Sequence, residues 1–347
     1  MTQTKPLLKK RWIFLLAALL FIHFFQLPYY YSQPGGALAL DQVIEVEDGF
    51  REDGSFMLTT VQMGKANLLF YVWAHFSPYR MLYPEEQLRF EGETDEEYEH
   101  RQLMAMTNSQ ETAKIVAYEH AGKEIEYVHK GVLVTTLIEG MPADGVLQRG
   151  DHIVEVDGTP VQTAEQLIEL LNGKTAEDQV RLSVNRNGRV EQVELGFAPF
   201  PEEFGLTDER VGIGISEPVT DRELTFTPDV QIDTSQIGGP SAGLMFSLEI
   251  YNQLHEEDLT KGYAIAGTGT INEEGQVGRI GGAAQKVVAA DKEGAEYFLA
   301  PNENGAPDSN YEEALAAAAD IGSEMEIIPI DTFNEALSFL ESLPARS

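Results

Sequence analysis

Two stretches decide how this 347-residue chain is read: Gly238-Gly239-Pro240-Ser241-Ala242-Gly243, and Gly281-Gly282-Ala283-Ala284-Gln285-Lys286-Val287-Val288-Ala289-Ala290. The first contains G-x-S-x-G, the strand-to-helix turn that can expose a nucleophilic serine. In a Ser–acid–His triad that turn needs an acid and then a histidine downstream. Of the seven histidines, His23, His75, His100, His120, His129, His152 and His255, only His255 follows Ser241, on the same predicted helix. No triad fits there. A serine without a histidine can instead be activated by a lysine amine that is neutral at the working pH. The ordinary lysine pKa of about 10.4 must then fall by roughly three units, which apolar burial achieves. Lys286 lies among small and aliphatic residues, whereas Lys292 is flanked by Asp291 and Glu293, and Lys261 falls in a polar turn. Ser241 and Lys286 are therefore the candidate nucleophile and general base. Pro240 suits a position just before a helix, where a missing N–H costs nothing. Helix-start amides favour developing negative charge, with Gly238, Gly239 and Ala242 shaping a possible oxyanion hole. Taken alone, the same turn reads as a serine N-cap.

From there to the C-terminus helix and strand patterns alternate, which argues for an α/β unit over residues 205–345. The Ala-rich run 314–319 reads as a packed surface helix. Gly239–Gly243, Thr268-Gly269, Gly275-x-Val277 and Ile280-Gly281-Gly282-x-x-x-Lys286 occur in an order and spacing that resemble the Lon-type protease domain. That resemblance implies a Ser241–Lys286 dyad, with the Thr268 hydroxyl touching the lysine.

Upstream, residues 125–196 read as short strands with one helix, opened at Thr163 and stopped at Gly173, and a hairpin about Asn187-Gly188. Gly131–Val134, Gly140-Met141-Pro142-Ala143 and Gly150-Asp151 through Asp157-Gly158 resemble a PDZ domain of the bacterial protease type, placed at residues 105–198. The resemblance implies that a peptide adds as a strand beside the one starting at Gly131, contacting Lys130, Gly131, Val132, Leu133 and Val134.

The N-terminus reads separately. Lys5, Lys9, Lys10 and Arg11 precede an apolar run, Trp12 to Leu27, with Tyr29–Tyr31 after it. This predicts a cytoplasmic tail (1–11) and a transmembrane anchor (12–31), with the remaining domains outside the cytoplasm. A cleaved signal peptide, cut near Ala37-Leu38-Ala39, is the competing reading. Residues 32–104 read as a scaffold of strands with no evident chemistry. A capping box at Thr94/Glu97 then opens a helix ending near Gly122.

Composition narrows the function. A net charge of −33 disfavours a nucleic-acid partner. The absence of cysteine removes disulfides, thiolate metal sites and cysteine nucleophiles. Gly173-Lys174-Thr175 is the nearest approach to a Walker pattern, but Ile168 stands where its first glycine belongs. No metal site and no cofactor are expected. The combination resembles the membrane-anchored PDZ–Lon-type serine proteases of Gram-positive bacteria (the YlbL-like group). The fold class expected is α/β multidomain: transmembrane helix, PDZ domain and Lon-type domain. The resemblance implies an ATP-independent endopeptidase acting on exported proteins or peptides, and a ring-shaped homo-oligomer. A catalytically silent PDZ adaptor remains the alternative.

Overall fold

The computed structural model describes residues 12, 13, 16, 20, 22, 24–90, 92–201, 210–234 and 237–346. These form two compact units. One comprises residues 1–124 and 226–347, the other Ile125–Thr225, so the second unit is inserted into the chain of the first.

The first unit begins with β1 (Gln26–Ala39), β2 (Ile44–Val46), β3 (Ser55–Asn67), helix α1 (Leu68–Ala74), β4 (Met81–Pro84) and helix α2 (Asp95–His120). The Thr94/Glu97 capping box is formed as expected, with the Thr94 side chain accepting from Glu97 N–H. Residues 26–31, read as the end of an anchor, are strand. Tyr30 and Tyr31 pair with Lys65 and Gly64 of β3, and aromatic residues suit such a pleated, half-buried surface. The rest of the anchor reading falls largely outside the described residues, and no helix among those described is long and apolar enough to cross a membrane. Ala37–Ala39 also lie in β1, opposite Thr59, Leu58 and Met57, so cleavage there would remove a strand from the sheet.

The inserted unit contains β5 (Glu124–Leu133), β6 (Thr136–Leu137), β7 (His152–Val156), helix α3 (Ala164–Leu171), β8 (Gln179–Arg186), β9 (Arg189–Gly196), β10 (Val211–Gly212), β11 (Ile215–Ser216) and β12 (Val219–Thr227). Its main sheet runs β9-β8-β7-β5-β12. Asn187 and Gly188 take positive φ (52° and 81°) at the β8–β9 turn, as a two-residue hairpin demands. Val132, Ile153, Leu167, Leu182 and Val184 are fully buried in its core. The boundaries differ from the sequence reading at both ends. Helix α2, partly counted with the PDZ segment, belongs to the first unit; β10 to β12, counted with the last domain, belong to the insert.

The chain returns to the first unit with β13 (Val230–Ile232), helix α4 (Gly243–Leu254), β14 (Ala264–Gly267) and helix α5 (Ala283–Lys292). Between them lie the short strands β15 (Thr270–Ile271) and β16 (Val277–Gly278). After them come β17 (Tyr297–Pro301), helix α6 (Asn310–Ile321), β18 (Glu326–Ile330) and helix α7 (Phe333–Ser342). The six-stranded sheet has the order β18-β17-β14-β3-β1-β4. Its first four strands are parallel, and β1 and β4 are antiparallel additions. Residues 32–104, read as a separate scaffold, therefore supply most of β1, and β3 and β4, to this sheet, while β2 pairs with β13. Ala290, Ala314, Ala317 and Ala318 pack α5 and α6 over Phe298 and Ile327, where small side chains let the helices approach closely.

Candidate active site

Three distant parts of the first unit meet at one amine. Lys286, in the first turns of α5, is 3% exposed. Its Nζ lies 2.8 Å from Ser241 Oγ, 2.9 Å from Thr268 Oγ1 and 3.1 Å from the Thr59 carbonyl of β3. Thr268 follows β14 and is fully buried. Ser241, two residues before α4, keeps partial exposure.

These contacts decide the direction of the bonds. The Thr59 carbonyl can only accept, so it takes one amine hydrogen. Thr268 Oγ1 lies 2.9 Å from the Ser241 carbonyl, to which it must donate its own hydrogen. Its lone pair is then available for a second amine hydrogen. A neutral amine has two hydrogens and one lone pair, so the lone pair is left for the Ser241 hydroxyl, which donates to Nζ. Burial pushes the Lys286 amine down from 10.5 to about 7, since desolvation penalises the charged form.

The serine turn is held from both sides. The Ser241 carbonyl accepts from the Thr268 hydroxyl and from Gly269 N–H (3.0 Å). On the other side the Ser109 hydroxyl of α2 donates to the Pro240 carbonyl (3.0 Å), and Gly239 N–H donates to the Gln102 carbonyl (2.9 Å). Gly239 has φ +90°, where a side chain would be strained, and a Cβ on Gly238 would meet Gln102 Cβ at 3.0 Å. The two glycines thus admit α2. The Gly239 amide is occupied by the Gln102 carbonyl, so it is not free to act as an oxyanion donor. Ala242 caps α4.

Sequence reasoning missed Thr59, Ser109 and Gln102. Thr59 and Gln102 contribute backbone carbonyls, which leave no side-chain signal, and all three belong to the segments before the insert. His255 lies beyond the other end of α4, with Nδ1 on the Tyr251 carbonyl and its ring stacked on Tyr251. A helix of that length separates it from Ser241 by about 18 Å, so it has no part in the site. We expect Thr268→Val to lower turnover of a peptide substrate about thirtyfold with little change in KM, and Thr268→Ser to restore most of it, a part of the roughly 10²–10⁴-fold that a positioned general base contributes. Equal rates for Thr268→Val and the wild type would remove Thr268 from the site.

In the inserted unit the expected peptide edge is not open. β5 lies between β7 and β12, with Val132 and Leu133 opposite Ile153 and His152. Val134 N–H donates to the Asp151 carbonyl, and Lys130 pairs with Glu223 at 2.6 Å. Gly131, at φ +107°, has no room for a side chain because its Cβ would lie 2.5 Å from the Ile153 carbonyl. Lys130–Leu133, expected to bind a peptide, lie in β5 with a hydrogen-bonded strand on each side, and Val134 follows it. A groove of about 470 Å³ opens elsewhere, between α3 and residues 211–215, lined by Ile168, Leu171, Ile213 and Ile215.

Residues 108–196 match the PDZ domain family, and residues 232–341 match the Lon protease (S16) C-terminal proteolytic domain. The chain carries a PDZ domain and a Lon-type proteolytic domain. It is 30% identical to Lon protease 2 of Bacillus subtilis over 125 residues, which are 36% of this chain and 20% of that protein. It is 33% identical to the Lon protease of Campylobacter jejuni over 102 residues, 29% of this chain and 12% of the other. The chain thus spans a fifth or less of these relatives. Among solved structures, the PDZ domain of the SdrC-like protein from Listeria monocytogenes aligns at 26% identity and TM-score 0.23, over 26% of this chain and 88% of that domain. A solution structure from Geobacillus thermodenitrificans aligns at 36% identity and TM-score 0.22, over 25% of this chain and 95% of the other. The match to the Lon-type domain starts at residue 232 and so leaves out β1 and β3, although β3 carries the Thr59 carbonyl bound by Lys286.

Proposed function

We propose that the chain is an ATP-independent serine endopeptidase, anchored in the membrane by its N-terminal run, that cuts exported or surface proteins and peptides. The observation that carries this is the buried Lys286 amine, whose two hydrogens have acceptors and whose lone pair faces Ser241 Oγ. In the proposed reaction the Ser241 oxygen bonds to the scissile carbonyl carbon as its proton passes to Lys286 Nζ. The carbon–nitrogen bond then breaks, and the same proton leaves on the new amine. Water repeats the sequence on the acyl-enzyme, with Lys286 again taking the proton. With the Gly239 amide occupied, the amides of Ser241 and Ala242 at the start of α4 are the oxyanion donors in this reading. ATP independence is supported by the lack of a Walker pattern in the sequence. The test is incubation of the full-length protein in detergent with casein and unstructured peptides. Cleavage lost in Ser241→Ala supports the protease; none by wild type leaves a PDZ adaptor.

The groove beside α3 is the proposed substrate-selecting site, since it offers apolar pockets next to extended backbone. Ile168 lines it and is 57% exposed, so it can be changed without disturbing the core. Ile168→Glu is expected to raise KM for protein substrates about tenfold at unchanged kcat, the effect of losing about 1.4 kcal/mol of binding. A short peptide that reaches only Ser241 should be cut as before. An unchanged KM for proteins would separate the groove from substrate choice.

A further inference from the structure

Helix α1 presents an apolar stripe the wrong way round. Its inner face is pinned to the sheet: Phe70 stacks on Tyr31 at 4.2 Å and Tyr71 meets Tyr29 edge-on at 5.3 Å. The Asn67 side chain caps it by accepting from Phe70 N–H. Its outer face carries Leu69, Val72 and Trp73, with Phe76 just beyond, at the i, i+3, i+4, i+7 spacing of a helical stripe. All four are exposed, Phe76 by 79% and Trp73 by 48%. On a water-facing helix these positions would ordinarily be polar.

Two further observations say what covers this face. The chain carries a net charge of −33, yet residues 12–40 and 55–84 contain neither Asp nor Glu. The second segment includes the cations Lys65 and Arg80, and the Arg80 guanidinium lies 3.6 Å from the Trp73 ring centre. The first segment comprises the apolar N-terminal run and β1 itself. The run enters the fold at Gln26, which pairs with Asn67, the cap of α1. Gln26 therefore lies beside the start of the helix that carries the exposed stripe. Tryptophan, large apolar side chains and neighbouring arginine are the composition of a surface seated in the headgroup layer.

We propose that the face formed by Leu69, Val72, Trp73 and Phe76 is seated in the headgroup layer of the membrane that the N-terminal run enters. This rests on the anchoring in the proposed function and adds a second contact to it. The docked face would fix the first unit against the bilayer, holding the site at a set height above it.

The chain has two tryptophans, Trp12 and Trp73, which makes the test direct. Full-length Trp12→Phe protein, with Trp73 as its only tryptophan, is reconstituted in phosphatidylcholine–phosphatidylglycerol vesicles containing lipids brominated high on the acyl chain. Trp73 emission should fall by about half relative to unbrominated vesicles, as seating 5–10 Å into the headgroup–acyl boundary requires. The Trp73→Phe protein reports on the run through Trp12 under the same conditions. Quenching of Trp12 with none of Trp73 overturns the proposal and leaves the anchor standing. No quenching of either overturns both. Trp73 shielded from acrylamide yet unquenched by bromine overturns it in favour of a second copy covering the face.

Discussion

Ser241→Ala and Lys286→Met should each reduce casein and peptide hydrolysis by about a thousandfold or more, and the double variant should be no worse than either, because groups acting as one unit lose their effect together. The geometry supports this: Ser241 Oγ has Nζ at 2.8 Å and His255 at the far end of α4, and among the described residues no other side-chain base is placed on it. Lys286→Met should also make the protein more stable. The amine titrates at about 7 in the fold against an ordinary 10.5. Between those values the unfolded chain holds a proton that the folded chain has released, so folded stability rises with pH across that window. The penalty is therefore fully present below about pH 7 and gone above about 10.5. The Met variant should gain about 2 kcal/mol at pH 6, after the loss of the amine's hydrogen bonds, and the gain should vanish by pH 10. Denaturant melts at the two pH values measure it. An inactive variant that is also destabilised at pH 6 would mean that the substitution damaged the fold; wild-type cleavage by either variant would leave only a binding protein.

Activity should climb steeply with pH in the wild type. Only the neutral amine can take the Ser241 proton, so kcat/KM should rise about tenfold per pH unit below the Lys286 pKa and level off above it. With that pKa at about 7, the gain from pH 5 to pH 7 is roughly fiftyfold, with a plateau beyond pH 8. One other group must be separated from this. Glu249, buried on α4 next to Glu52, is pushed up by burial into the same range. It lies two turns along α4 from Ser241 and makes no contact with the amine. The Glu249→Gln variant should therefore keep the inflection. A flat profile between pH 5 and 9 in the wild type would refute a lysine base, and an inflection that disappears in Glu249→Gln would transfer the titration to that carboxyl.

Much of the site was legible in the primary structure because its chemistry needs particular side chains in particular settings. A serine at a Gly-Pro turn with no histidine to serve it, and one lysine among small apolar residues, name Ser241 and Lys286. Thr268 came from the resemblance, and it stands where the resemblance placed it, 2.9 Å from the amine. The hairpin at Asn187-Gly188 and the Thr94 capping box are local devices, and both formed as read.

What local sequence could not express was which distant strands pair. The PDZ edge was misplaced because the strand at Gly131 carries no mark that β12, some ninety residues on, covers it. The N-terminal segment looked inert because its contribution to the site is a peptide carbonyl. Pairing is a property of backbone hydrogen bonds, which every residue but proline can make in the same way. Residue types thus determined the candidate pair, Ser241 and Lys286, and the two domain types. Only the tertiary structure brought β3 beside β14, put the Thr59 carbonyl under the amine, and so decided which way the lone pair points.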